Sequence, residues 1–102
     1  METIQPLMTE LAITDALNSI IIAEDCEFNL TALNCILQTF NLKADLVMNG
    51  RDALNAVVNR LNQGAEMYKL IVLDFCMPEL DGPQAASKIL EAIHEHNENT
   101  DE

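Results

Sequence analysis

Apolar positions along the chain fall into two rhythms. Three short aliphatic runs have strand length: Ile20 to Ala23, about Ala44 to Met48, and Lys69 to Asp74. Three longer stretches carry apolar residues at helical spacing. From Glu27 to Phe40 the residues Leu30, Leu33, Leu37 and Phe40, with Ile36 beside them, form one face. From about Arg51 to Asn62 the face is Ala53, Leu54, Val57, Val58 and Leu61, and from about Pro83 it is Ala86, Ile89, Leu90 and Ile93. The resulting order, βαβαβα, predicts an α/β fold with parallel strands and right-handed crossovers.

The breaks between these segments have matching chemistry. Asn49-Gly50 marks the exit from the second strand, and Gly64 sits where a left-handed residue closes the second helix. Met77-Pro78 interrupts the backbone after the third strand, and Asp81-Gly82-Pro83 starts the third helix with Asp81 as its cap. Residues 1–18 are expected to be a leader or linker helix, with Pro6 in its first turn and Leu7, Leu11, Ala12 and Ala16 as a modest stripe. Residues 19–93 form the domain, and the acidic residues 94–102 are expected to be a disordered tail.

Length limits the chain to one small domain: 102 residues, 49% of them hydrophobic, which is enough for a packed core. Its aromatic residues are Phe28, Phe40, Tyr68 and Phe75, so Leu, Ile, Val, Met and Ala must build that core. The net charge of −12, from 17 acidic and 5 basic residues, argues against nucleic acid and against anionic membrane surfaces. It suits a cation or a partner with a basic patch. Cys26, Cys35 and Cys76 are odd in number and lack metal-site spacing, so they read as reduced thiols of a cytoplasmic protein. No apolar stretch reaches the roughly 18 residues of a membrane span, and no basic, signal-like N-terminal region is visible.

The densest chemistry lies at two strand ends. Leu70 to Leu73 runs directly into Asp74, and Ile20 to Ala23 runs into Glu24-Asp25. Open α/β sheets bind ligands beyond the carboxyl ends of their strands. Neighbouring parallel strands with these ends would gather three carboxylates, which need a shared proton or a cation. Hard oxygen donors without nearby His or Cys ligands favour Mg²⁺, Ca²⁺ or Mn²⁺ over zinc. The Cys76 thiol reads as a loop residue, Lys88 as a solvated charge, and His94 and His96 as solvated residues whose spacing does not put them on one helical face.

The acidic pair Glu24-Asp25, the lone Asp74 and the Asp-x-x-Met-Pro-x-x-Asp-Gly pattern from Asp74 to Gly82 resemble the receiver domains of two-component response regulators, including those of hybrid histidine kinases. Glu27-Phe28-Asn29 and Asn49-Gly50 with Ala53-Leu54 are similar to the helix openings of that family, and the resemblance covers roughly Asn18 to Ile93. It implies a flavodoxin-like receiver fold with strand order 2-1-3. It also implies that Asp74 accepts a phosphoryl group from a phosphohistidine on a histidine kinase or a histidine phosphotransfer protein. The implied metal shell is Mg²⁺, or Mn²⁺, on Asp25, Asp74 and the backbone carbonyl of Cys76, with Glu24 acting through water or as a second ligand.

A full receiver, by the same resemblance, has two further strands and helices, a Ser or Thr ending the fourth strand and a Lys ending the fifth. This chain carries the βαβαβα half, and its lysines are 43, 69 and 88. The third strand is therefore expected at a sheet edge, where an apolar run invites pairing with another chain, including a homodimer. The isolated chain is expected to be marginally stable and to dimerise, aggregate or require a complementing fragment. Two other functions fit the residues less well. One is a non-catalytic receiver remnant acting as an interaction module. The other is a metal-dependent phosphohydrolase, which would need an acid where Cys76 stands.

Overall fold

The computed structural model describes residues 19–100. The leader expectation for residues 1–18 lies outside them. Six elements follow in the expected order: β1 (Ile20–Ala23), α1 (Glu27–Thr39), β2 (Asp45–Val47), α2 (Gly50–Gln63), β3 (Leu70–Leu73) and α3 (Gly82–Thr100). The strands form one parallel sheet in the order β2-β1-β3. Ile21 to Ala23 align with Asp45 to Val47 on one side, and Ile20 to Ala23 align with Leu70 to Leu73 on the other.

Alternate residues of β1 supply two cores, because successive side chains in a strand point to opposite faces. Ile20 and Ile22 pack with Leu30 of α1, flanked by Leu33, Leu37, Leu42 and Ala44. Ile21 and Ala23 pack with Ala53 and Val57 of α2, Ala85 and Ile89 of α3, and the loop residues Tyr68, Met77 and Leu80. The central strand is buried throughout, as a continuous aliphatic strand requires.

Helix α2 begins where Asn49 accepts the Asp52 N–H at 2.7 Å, and it ends at left-handed Gly64 (φ 68°). Gly50 is a packing requirement: a Cβ there would collide with the backbone of Leu80, so α2 starts hard against the loop after β3. At the opposite end of the sheet, Tyr68 donates to Asp45 at 2.5 Å. Arg60 covers the Tyr68 ring at 3.6 Å, pairs with Asp45 at 3.3 Å and donates to the Glu66 carbonyl at 3.0 Å. This clasp joins α2, the start of β2 and the segment entering β3.

Several expectations need correction. Residues 94–100 are not a disordered tail but the last turns of α3, where His94 Nε2 lies 3.2 Å from Glu98. The i, i+4 spacing of that pair extends the helix by side-chain contact rather than by an apolar face. Phe40 (66% exposed) and Ile36 (56%) do not belong to the buried face of α1. Leu30, Leu33 and Leu37 already fill the width available over β1, and Phe40 caps the helix instead. Leu90 is also outward, 67% exposed, and Ala85 takes the tight position against α2. The second strand is shorter than expected, three residues rather than five, and the third loses Lys69 and Asp74 from its ends.

Candidate acidic site at the strand ends

The register of β1 against β3 determines what meets at the carboxyl end of the sheet. Ala23 and Leu73 are paired, so the residues after them, Glu24-Asp25 and Asp74, leave the sheet side by side. Backbone bonds continue the ladder past both strands: Asp74 N–H donates to Ala23 at 3.0 Å, and Glu24 N–H donates to Val47 at 3.1 Å. Both acidic residues are thus held by main chain before their side chains do anything. Glu24, Asp25 and Asp74 can each bring a carboxylate oxygen within 4.8 Å of the other two. One Glu24 oxygen also accepts the Cys26 N–H at 3.0 Å, which anchors that side chain against the loop into α1.

The loop from Asp74 to Asp81 is shaped by burial at its far side. Met77 and Leu80 are buried in the core shared with α2 and α3, so the loop is pinned rather than loose. Glu79 adopts a left-handed conformation (φ 68°), and Leu80 N–H donates to the Pro78 carbonyl at 2.7 Å to close the turn. Gly82 N–H donates to the Phe75 carbonyl at 2.9 Å. A Cβ on Gly82 would strike the Asp74 carbonyl, so glycine here lets α3 begin directly beneath Asp74. Asp81 is a helix cap, as expected: its carboxylate accepts the Gln84 N–H at 2.8 Å, and Gln84 returns the favour to the Asp81 N–H at 3.1 Å.

Asp25 and Cys26 are exposed, as is Cys76, while Asp74 is half-buried. The site is therefore open to solvent on the α1 side. Phe28 (80% exposed), three residues after Asp25, and Phe75 (71%), next to Asp74, are exposed aromatic residues close in sequence to the site. Lys88 and His94 are exposed on α3.

The chemistry of the donors fits a hard divalent cation. All three side chains offer carboxylate oxygen, and oxygen ligands at about 2.1 Å from Mg²⁺ lie about 3–4 Å from one another, which the cluster's spacing allows. Asp74 directly follows β3, as Glu24 directly follows β1.

Comparison with known proteins now assigns the family. The response regulator receiver domain matches residues 20–99, and the chain belongs to that family. It is 36% identical over 76 residues to the hybrid signal transduction histidine kinase L of Dictyostelium discoideum, covering 74% of this chain and 4% of that protein. It is 30% identical over 69 residues to the two-component response regulator ORR42 of Oryza sativa subsp. japonica, covering 68% of this chain and 48% of that protein. Among solved structures, the receiver domain of the histidine kinase CKI1 from Arabidopsis thaliana, complexed with Mg²⁺, superposes with a TM-score of 0.68 at 21% identity. That match covers 80% of this chain and 63% of the CKI1 chain. The chain thus spans less than two thirds of each of these relatives. It is a receiver domain of two-component signalling with the flavodoxin-like arrangement, and the sheet order 2-1-3 expected from the resemblance is the one observed. No helix among the described residues is long and apolar enough to cross a membrane.

Proposed function

We propose that this chain is a phosphoacceptor module in a phosphorelay, with Asp74 as the nucleophile. The observation that carries the reading is the convergence of Glu24, Asp25 and Asp74 at paired strand ends, each with an oxygen within 4.8 Å of the others. A carboxylate oxygen of Asp74 attacks the phosphorus of a phosphohistidine, the P–N bond breaks, and the imidazole leaves with its electron pair. Nucleophile and phosphoryl group are both anionic, so a cation between them lowers the barrier.

Asp25 and Asp74 would hold that cation, Glu24 would act as a further ligand or through water, and the carbonyl of Cys76 would complete the protein shell. Mg²⁺ fits, and Mn²⁺ fits by the same donor chemistry. The bound ion would screen the incoming phosphoryl oxygens. This chain's own residues supply the positioning: the ladder bonds of Asp74 and Glu24, and the glycine at position 82 that leaves room under the acceptor. The donor would be a histidine kinase or a histidine phosphotransfer protein, met at the solvent-exposed acidic strand ends. A second copy, meeting β3 on the side away from β1, is the other partner this reading includes. The site acts in the cytoplasm, where such phosphodonors are available.

Intact mass after incubation with MgCl₂ and acetyl phosphate tests the acceptor directly. One added phosphoryl group is expected, absent in Asp74→Ala and released by hydroxylamine, which displaces phosphate from the acyl carbon to leave a hydroxamate. No adduct on a folded sample that binds Mg²⁺ would reject the acceptor role and leave a protein-docking module.

A further inference from the structure

Cys26 and Cys76 flank the acidic site from two different loops. Ala23 and Leu73 are paired across β1 and β3, and each thiol lies three residues beyond its member of that pair. The ladder runs one residue past the strands, through the bond from the Asp74 N–H to the Ala23 carbonyl. Both cysteines are exposed and free. The pairing that sets them opposite each other is between β1 and β3, so it is independent of what adjoins β3 on its other side.

The main chain around each thiol is fixed. Cys26 is the N-cap of α1: its N–H donates to Glu24 at 3.0 Å, its carbonyl accepts the Leu30 N–H at 2.9 Å, and its side chain makes no capping bond. Cys76 stands between Phe75, whose carbonyl accepts the Gly82 N–H at 2.9 Å, and Met77, which is buried in the core. Neighbouring strands lie about 4.8 Å apart, and a disulfide spans Cα atoms about 4.4–6.8 Å apart. A bridge therefore requires the two loops to spread by no more than about 2 Å beyond the ladder. Cys35 supplies the contrast, since it lies about 13 Å from Cys26 along the axis of α1.

We propose that Cys26 and Cys76 are a redox pair, which peroxide joins into a disulfide across the acidic site. In a reducing compartment the pair rests as two thiols. The sulfur of one attacks hydrogen peroxide, the O–O bond breaks, and a sulfenic acid and one water form. The sulfur of the other then attacks the sulfenic sulfur, the S–O bond breaks, and a second water leaves. Two thiols lose two electrons, peroxide gains them, and both thiol protons end in water. A dithiol reverses the step by exchange. The bridge ties the loop after Asp25 to the loop after Asp74, and those loops carry the carboxylates that converge within 4.8 Å. Its effect on phosphoryl transfer rests on the phosphoacceptor reading, but its formation does not.

Peroxide titration of the full chain, read by intact mass and peptide mapping, tests the proposal. One equivalent of hydrogen peroxide is expected to remove two hydrogens from the monomer and to link the peptides of Cys26 and Cys76. Cys35→Ser should form the same link. Cys26→Ser should form none, and its acetyl phosphate labelling should not respond to peroxide. The bridged chain should take acetyl phosphate about tenfold more slowly and lose its Mg²⁺-dependent rise in melting temperature, and dithiothreitol should restore both. A main product linked through Cys35 or between chains would overturn the proposal. So would sulfinic acid at either thiol with no link, or a bridged chain that labels and binds Mg²⁺ as the reduced one does. The link is read without a phosphodonor, so a reduced chain that takes no phosphoryl group rejects the acceptor reading while the redox pair stands.

Discussion

Single residues at the sheet's two ends carry opposite duties. At the carboxyl end, Gly82 must stay small because the Asp74 carbonyl occupies the space of its Cβ. Gly82→Ala is expected to destabilise the fold by about 1–3 kcal/mol and to shift Asp74, read as a lowered denaturation midpoint together with reduced acetyl phosphate labelling. At the other end, burial pushes the Tyr68 hydroxyl up to about 12, helped by its hydrogen bond to Asp45 and the charge of that carboxylate, with Arg60 opposing. The sign follows from proton binding: the folded state holds the phenolic proton more tightly than the unfolded chain, whose tyrosine titrates at about 10. The stabilisation is complete below pH 10 and is lost as pH rises toward 12. Tyr68→Phe keeps the ring under Arg60 and loses the bond to Asp45. It should cost about 1–2 kcal/mol at pH 7 and flatten the alkaline limb of a stability–pH curve.

The elements show why some amphipathic readings held and others did not. Helix α2 was largely legible: Ala53, Leu54, Val57 and Leu61 do pack inward and Gly64 does close it, while Ala56 packs on the core where Val58 was expected to. It lies between the sheet and α3, so its apolar face and its buried face coincide. Helix α1 has more apolar residues than its single contact with the sheet can cover, which leaves Phe28, Ile36 and Phe40 outside. Periodicity finds a face but not how much of it a neighbour will meet. Helix α3 continues past its apolar stripe to Thr100, beyond the point where hydrophobic pattern gives a signal. Its start rests on the reciprocal bonds of Asp81 and Gln84. Asp81→Ala should remove about 1 kcal/mol and lower helical ellipticity before the sheet melts, as followed by circular dichroism.

For the whole molecule, the acidic site couples stability to cation binding. Three carboxylates held close by the ladder bonds repel one another, and a bound cation relieves that repulsion. MgCl₂ at ten times its dissociation constant is therefore expected to stabilise the folded chain by about 1.4 kcal/mol, seen as a higher melting temperature than in NaCl of equal ionic strength. Asp25→Asn should abolish most of that rise. A melting temperature indifferent to Mg²⁺ would remove the cation from the site.

What the sequence determined by itself is the order of elements, the strand ends that carry Glu24-Asp25 and Asp74, and the residues that punctuate the loops. Those depend on local periodicity, turn chemistry and caps, which a linear reading can follow. Only the tertiary structure decided that Ala23 and Leu73 are paired so that the acidic residues converge. It alone showed that Met77 and Leu80 pin the loop, that Gly50 and Gly82 lie against other backbones, and that Arg60, Tyr68 and Asp45 meet. Each of these joins residues distant in the chain, and their proximity follows from how the strands register and the helices pack, which no local pattern encodes.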